Sequence, residues 1–182
     1  MDLTDEVVAA ARAGDQDAWR VVYDVLAPRV LGYLRARGAD DPEGTTSEVF
    51  LAVLRALDGR LEGGATGLRT LAFSIAHARL VDDLRRRARR PDVVPYDPAG
   101  DVRTAVPAED TALMTVEASR ALRFLDQLGE DQRTVVMLRI LADLTLQETA
   151  AVLGRSVPAV KQLQRRGLLA LKELMTAKEV TR

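Results

Sequence analysis

Five arginines fall within six positions, Arg85, Arg86, Arg87, Arg89 and Arg90. Guanidinium forks match phosphate oxygens, so the chemistry such a run offers is anion recognition. The plainer alternative is a solvated helix end. A second basic set lies between Leu153 and Lys172, where Arg155, Lys161, Arg165, Arg166 and Lys172 occur without one acid. Gln162 and Gln164 are interleaved with them, and such amides can pair with base edges. Bond-making chemistry has far less support. The single histidine, His77, has no cysteine partner and no metal-ligand spacing. Asp40–Asp41 and Asp82–Asp83 are sequence neighbours, which on a helix point apart. Gly63, Gly64 and Gly67 lack the Lys and Ser/Thr of a phosphate loop. The expectation is a non-enzyme with no cofactor and no metal.

The second basic set is positioned by a helix-turn-helix pattern over Thr145–Leu171. Leu146, Thr149, Ala150 and Leu153 share one helical face. Gly154 supplies the left-handed exit, Ser156 can cap the next helix, and Pro158 fits its first turn. Val160, Leu163, Gly167, Leu168 and Leu171 form the expected buried stripe. Lys161, Gln162, Gln164, Arg165 and Arg166 fall on the opposite face, as a helix entering a major groove requires.

Composition bounds the rest. Of 182 residues 47% are apolar but only 4% aromatic, which suits packed helices better than a sheet. Cysteine is absent, so disulfides and thiolate metal sites are excluded, in keeping with a reducing cytoplasm. No apolar run approaches the roughly 18 residues of a membrane span, and no secretory leader pattern opens the chain. Net charge is −1, but unevenly spread. Residues 1–90 balance 14 arginines with 14 acids, 91–127 set 3 arginines against 7 acids, and 128–182 set 9 basic residues against 6 acids. An acidic middle thus masks a basic C-terminal unit.

Helical periodicity predicts elements over Asp2–Ala13, then from Asp15 or Asp17 with Trp19, Val22, Tyr23, Leu26, Val30, Tyr33 and Leu34 on one stripe. Pro28 should kink that helix. Further helices are expected over Thr45–Leu57, Leu68–Ala88, Glu109–Leu128 and Asp131–Leu141, with a loop over Asp58–Gly67. Phe50 and Phe73 read as core residues rather than stacking platforms. Four prolines between Pro91 and Pro107 mark a boundary. The expected architecture is all-α, two small helical domains at 1–90 and 109–182 joined by an acidic linker, 91–108.

These residues resemble a family. Leu128-Gly129-Glu130-Asp131-Gln132-Arg133, followed by the helix-turn-helix, is similar to region 4 of bacterial sigma factors. Gly14-Asp15, Ala18-Trp19, Ser47-Glu48-Val49-Phe50 and Phe73-Ser74-Ile75-Ala76-His77, leading to Asp82 and Arg85-Arg86, resemble region 2. Two such regions and no others point to the extracytoplasmic-function (ECF) class of the sigma-70 family. Departures from its pattern are Gly44 for Asp, Ser47 for Gln, Leu71 for Trp and Ala78 for Asn.

The resemblance implies promoter-specific transcription initiation with core RNA polymerase. Region 2 would dock on the β′ coiled coil and open the downstream element, named for −10. Region 4 would bind the β flap and read the upstream element, named for −35. By position, Glu43, Glu48, Val49, Phe50 and Arg55 would face polymerase. Arg79, Asp82, Arg85 and Arg86 would lie near promoter DNA, and Arg155, Ser156, Ala159, Lys161, Gln162, Arg165 and Arg166 would meet the upstream element. An anti-sigma factor is a further partner the class allows, and the expected location is the cytoplasm. Two other readings fit the residues: a regulator that binds operators without polymerase, and a sigma-like adaptor without promoter activity. Co-migration with core polymerase discriminates them.

Overall fold

The computed structural model describes residues 2–57, 62–89 and 123–180, with side chains to Thr176. Seven helices lie wholly within these residues, residues 123–125 are helical as well, and no strand occurs among them. They are α1 (Asp5–Arg12), α2 (Gln16–Ala36), α3 (Pro42–Leu57), α4 (Gly64–Arg89), α5 (Glu130–Ile140), α6 (Leu146–Leu153) and α7 (Val157–Val180). The linker 91–108 and the helical spacing expected over 109–122 lie outside the described residues, as do the loop positions 58–61 and Arg90.

Local capping explains most boundaries. Thr4 starts α1 by accepting the Val7 N–H at 3.3 Å, so the helix begins later than Asp2. Asp15 caps α2 by accepting from Asp17 and Ala18 at 2.9 and 3.1 Å. Asp41 accepts the Gly44 N–H at 2.9 Å, which moves the start of α3 from Thr45 back to Pro42. A side chain at Gly44 would overlap that carboxylate, so glycine there fits the cap. The start of α4 is capped from a distance: Asp5 of α1 accepts the Ala65 N–H at 2.8 Å. That bond extends α4 back into the stretch expected to be loop. α2 runs on through Pro28, with Leu26, Ala27 and Val30 around it buried.

Helices α1–α4 pack on one another around Val22, Leu26, Val30, Leu34, Val53, Leu68, Phe73 and Leu80. Phe73 and Tyr33 meet edge to face at 6.0 Å. The Tyr33 hydroxyl lies 2.9 Å from His77 Nδ1. Burial raises the phenol to about 12, although Arg37 opposes it. Burial and Arg37 push the imidazole below its ordinary value, against Glu130. His77 is therefore neutral at pH 7 and serves the core.

The second half does not stand apart. α6 packs against α4, and Met137, Leu138, Leu144 and Val152 join the core of the first half. Among the described residues, four polar contacts cross the seam. Arg37, its side chain 3% exposed, pairs with Glu130 at the start of α5. Burial alone would lower the Arg37 pKa, but Glu130 and Tyr33 reverse this, and Arg37 holds the Glu130 carboxyl below its ordinary value. Arg133 donates to the Ala36 carbonyl at 2.8 Å, satisfying the C-terminus of α2. Arg69 reaches Glu148 at 2.8 Å, and Arg29 lies 3.6 Å from Asp143.

Candidate nucleic-acid interface

The helix-turn-helix is built by caps at both ends of α6. Thr145 accepts the Glu148 N–H at 3.2 Å while Glu148 accepts the Thr145 N–H at 2.6 Å, a complete capping box. Gly154 takes φ 60° and ψ 33°, the left-handed exit that lets Arg155 donate to the Ala150 carbonyl at 3.0 Å. α7 then starts at Val157, with the Ser156 hydroxyl 3.4 Å from the Ala159 N–H. A small core of Val135, Ala150 and Val160 fixes the angle between the two helices.

The crossing of α5 and α7 depends on one small residue. A Cβ at Gly167 would meet Val136 Cγ2 at 2.8 Å. The contact helix face therefore turns on Gly167, and Leu168, expected to be buried, is 44% exposed. The opposite face presents Lys161, Gln162, Arg165 and Arg166 to solvent, as the sequence predicts, and Ser156 is exposed as well. Ala159 is half-buried. Arg155 differs from the others: both Asp131 oxygens lie 2.9 Å from its Nη2, which ties it to α5.

In the first half, the N-terminus of α3 and the C-terminal part of α4 enclose an open groove of about 860 Å³. Its arginines are Arg79, Arg85, Arg86, Arg87 and Arg89. Facing or flanking them are Asp40, Asp41, Glu48, Asp82 and Asp83. Glu48 pairs with Arg79 across the groove. Asp82 lies 3.9 Å from Arg85, and Asp83 lies 3.0 Å from Arg87 and 3.9 Å from Arg86. Arg87 also donates to the Gly38 carbonyl at 2.6 Å, and Asp83 accepts the Asp40 N–H at 3.3 Å. Arg87 is thus partly structural, while Arg85 and Arg86 project, their side chains 67% and 76% exposed.

The expected polymerase-facing set divides in two. Glu43, Glu48 and Arg55 are exposed on α3. The Arg35 guanidinium holds the Glu43 carboxyl below its ordinary value. Val49 and Phe50 are corrected: both point inward, Val49 fully buried and Phe50 with its ring edge-to-face on Tyr23 at 4.9 Å and Trp19 at 6.3 Å. Neither offers its side chain to a partner. The large apolar side chains of α3 that reach solvent are Leu51 and Leu54, 55% and 44% exposed. Sequence reasoning missed them, though Glu48, Leu51 and Arg55 recur at helical spacing. Among the described residues no three potential ligands cluster as a metal site, and no helix is long and apolar enough to cross a membrane.

Residues 124–173 match the family described as sigma-70, region 4. The chain is 33% identical over 180 residues to the ECF RNA polymerase sigma factor SigD of Mycobacterium tuberculosis, covering 95% of this chain and 84% of that one. It is 33% identical over 176 residues to the ECF RNA polymerase sigma factor ShbA of Streptomyces griseus, covering 90% and 91% of the two chains. Among solved structures it resembles CnrH in complex with the cytosolic domain of CnrY, with a TM-score of 0.68, 23% identity, and 97% and 99% of the two chains covered.

Proposed function

The chain belongs to the ECF RNA polymerase sigma factors of the sigma-70 family, and we propose how its halves divide the work of initiation. Residues 109–182 read the upstream promoter element through Lys161, Gln162, Arg165 and Arg166 of α7 and bind the β flap. Residues 1–90 dock on the β′ coiled coil through the exposed face of α3, with Glu43, Glu48, Leu51, Leu54 and Arg55. They hold the downstream element along the groove through Arg79, Asp82, Arg85 and Arg86. The observation that carries this reading is the solvent-exposed polar face of α7, which follows a left-handed glycine and a Ser156 start.

The division follows from magnitudes. A unit that neutralises about four phosphates has a salt slope near −3.6 and on its own binds non-specifically at about 10⁻⁴ to 10⁻⁶ M. Specific sites need about 10⁻⁸ M or tighter. Tethering a second site supplies the difference through effective concentration. Opening DNA costs a few kcal/mol per unstacked step. With Tyr33, Phe50 and Phe73 buried and only 4% of the chain aromatic, polymerase binding must contribute much of that. Elements about 25 base pairs apart lie roughly 85 Å apart at about 3.4 Å per pair. A compact body of about 150 residues has a radius of gyration near 15 Å. The halves must therefore separate to hold both elements, and residues 91–107 can extend to at most about 60 Å.

The proposed setting is the cytoplasm, where core polymerase works, and the chain itself makes and breaks no bonds. An anti-sigma factor completes the proposed partners; CnrH, which shares the fold, is seen with the cytosolic domain of CnrY. The deciding experiment is run-off transcription with purified core polymerase on a promoter library. Promoter-specific transcripts that require the chain are expected. No co-migration with core polymerase and no transcript would leave an operator-binding regulator or an inactive adaptor instead.

A further inference from the structure

We propose that Glu48 couples polymerase docking to DNA capture: in the free chain it holds Arg79, and a cation supplied by the docked polymerase releases that arginine to the promoter strand. The inference rests on the assignment of the α3 face and the groove given above. Three observations carry it. First, Glu48 sits between the two surfaces. It is one turn before Leu51 on the exposed face of α3, and it also lines the groove. Any partner that covers Leu51 and Leu54 therefore meets its carboxylate.

Second, the pair is accessible to exchange. The Glu48 and Arg79 side chains are 60% and 40% exposed, so either can trade its partner without unpacking the core. Third, the groove cancels its own charge. Five arginines and five carboxylates line it, so as folded it presents phosphate with no net attraction. The other acids belong to α4 or to the turn before α3. Glu48 alone of the five stands on the docking helix. Neutralising it turns the balance positive and frees one guanidinium at the same moment.

The test uses the intact chain without polymerase. A labelled single-stranded DNA is titrated across a salt series. Glu48→Gln keeps the side chain's size and removes its charge. Binding should tighten by up to about fivefold, the scale of an exposed ion pair. The plot of log affinity against log salt should steepen by about 0.7, one added phosphate contact on a single strand. Glu48→Gln combined with Arg79→Gln should restore the parental slope, which distinguishes release of Arg79 from general loss of an acid. An unchanged slope in Glu48→Gln, or a steeper slope that persists in the double variant, overturns the proposal. Co-migration of the unaltered chain with core polymerase is measured alongside. Its absence refutes the docking assignment, whereas normal co-migration with unchanged slopes refutes only the coupling.

Discussion

Consider replacing Arg69 with Ala at the seam between the halves. The Arg69 side chain leaves α4 and places Nε and Nη2 at 2.9 and 2.8 Å from Glu148 Oε1. The Glu148 side chain is only 3% exposed. Its other oxygen keeps the Thr145 N–H at 2.6 Å whatever happens to Arg69. Removing the guanidinium strands half of a buried carboxylate, at a cost of about 3–5 kcal/mol if nothing moves. Separation of α6 from α4 relieves that penalty, because it returns Glu148 to water and keeps the capping box, although it also exposes Met137, Leu138, Leu144 and Val152. At about 1.4 kcal/mol per tenfold, even the lower figure shifts the closed-to-open balance by more than roughly a hundredfold. The chain has no cysteine, so thiols introduced at Ser47 and Thr176 can carry a donor and acceptor pair. Arg69→Ala should lengthen the measured distance at unchanged helix content. Adding Glu148→Gln should shorten it again, since a neutral amide tolerates the missing partner. The pH dependence has a definite sign. Burial raises the Glu148 pKa, but Thr145 and Arg69 outweigh it and leave it below the ordinary 4.5. A depressed carboxyl stabilises closure above its unfolded value and loses that contribution as pH falls through the folded one. The parental chain should therefore open in acid and stay closed at neutral pH. An Arg69→Ala chain with parental distance and parental stability would refute the reasoning.

Arg165→Ala should relax base choice at one upstream position by about 1–3 kcal/mol, the worth of a bidentate contact; identical preferences in a promoter-variant screen would remove Arg165 from the reading set. Leu54→Glu should weaken core-polymerase binding with circular dichroism unchanged, because the side chain is 44% exposed; parental affinity would move the docking face off α3. Gly167→Ala should lower stability by about 1–3 kcal/mol through the clash with Val136. Thermal melting checks this, and an unchanged midpoint would show that α5 and α7 can shift apart without cost.

The helix-turn-helix was legible in the sequence because its signals are local. A left-handed glycine, a serine before the second helix and a spaced basic face each act within a few residues. The all-α class was legible for the same reason. The phase of α3 was harder. Val49, Phe50, Leu51, Val53 and Leu54 are nearly continuous apolar sequence, so periodicity alone cannot say which side faces in. Phe50 is decided by Trp19 and Tyr23 on α2, partners about thirty residues away. Leu168 failed for the opposite reason: a pattern search assigns contact to large apolar residues, while this crossing needed the smallest one. The seam between the halves left no pattern. Arg37, Arg69 and Arg133 look like surface cations in sequence, and their partners lie 93, 79 and 97 residues away.

The bond from Asp5 to the Ala65 N–H spans 60 residues. A ribosome adds about 5–20 residues per second. For roughly 3–12 seconds α1 has emerged while the helix start it caps does not yet exist. During that interval the inner faces of α1 and α2 lack the long helix that covers them, so the four-helix body closes late, as one event, when α4 arrives. The second half comes later still, since its seam contact from Glu148 lands on Arg69 of a helix already in place. The order of synthesis therefore makes α4 both the keystone of the first half and the platform for the second. A pause in translation before α4 emerges would leave the inner faces of α1, α2 and α3 uncovered, whereas a pause after it has emerged would leave only the surface that α5 and α6 later cover.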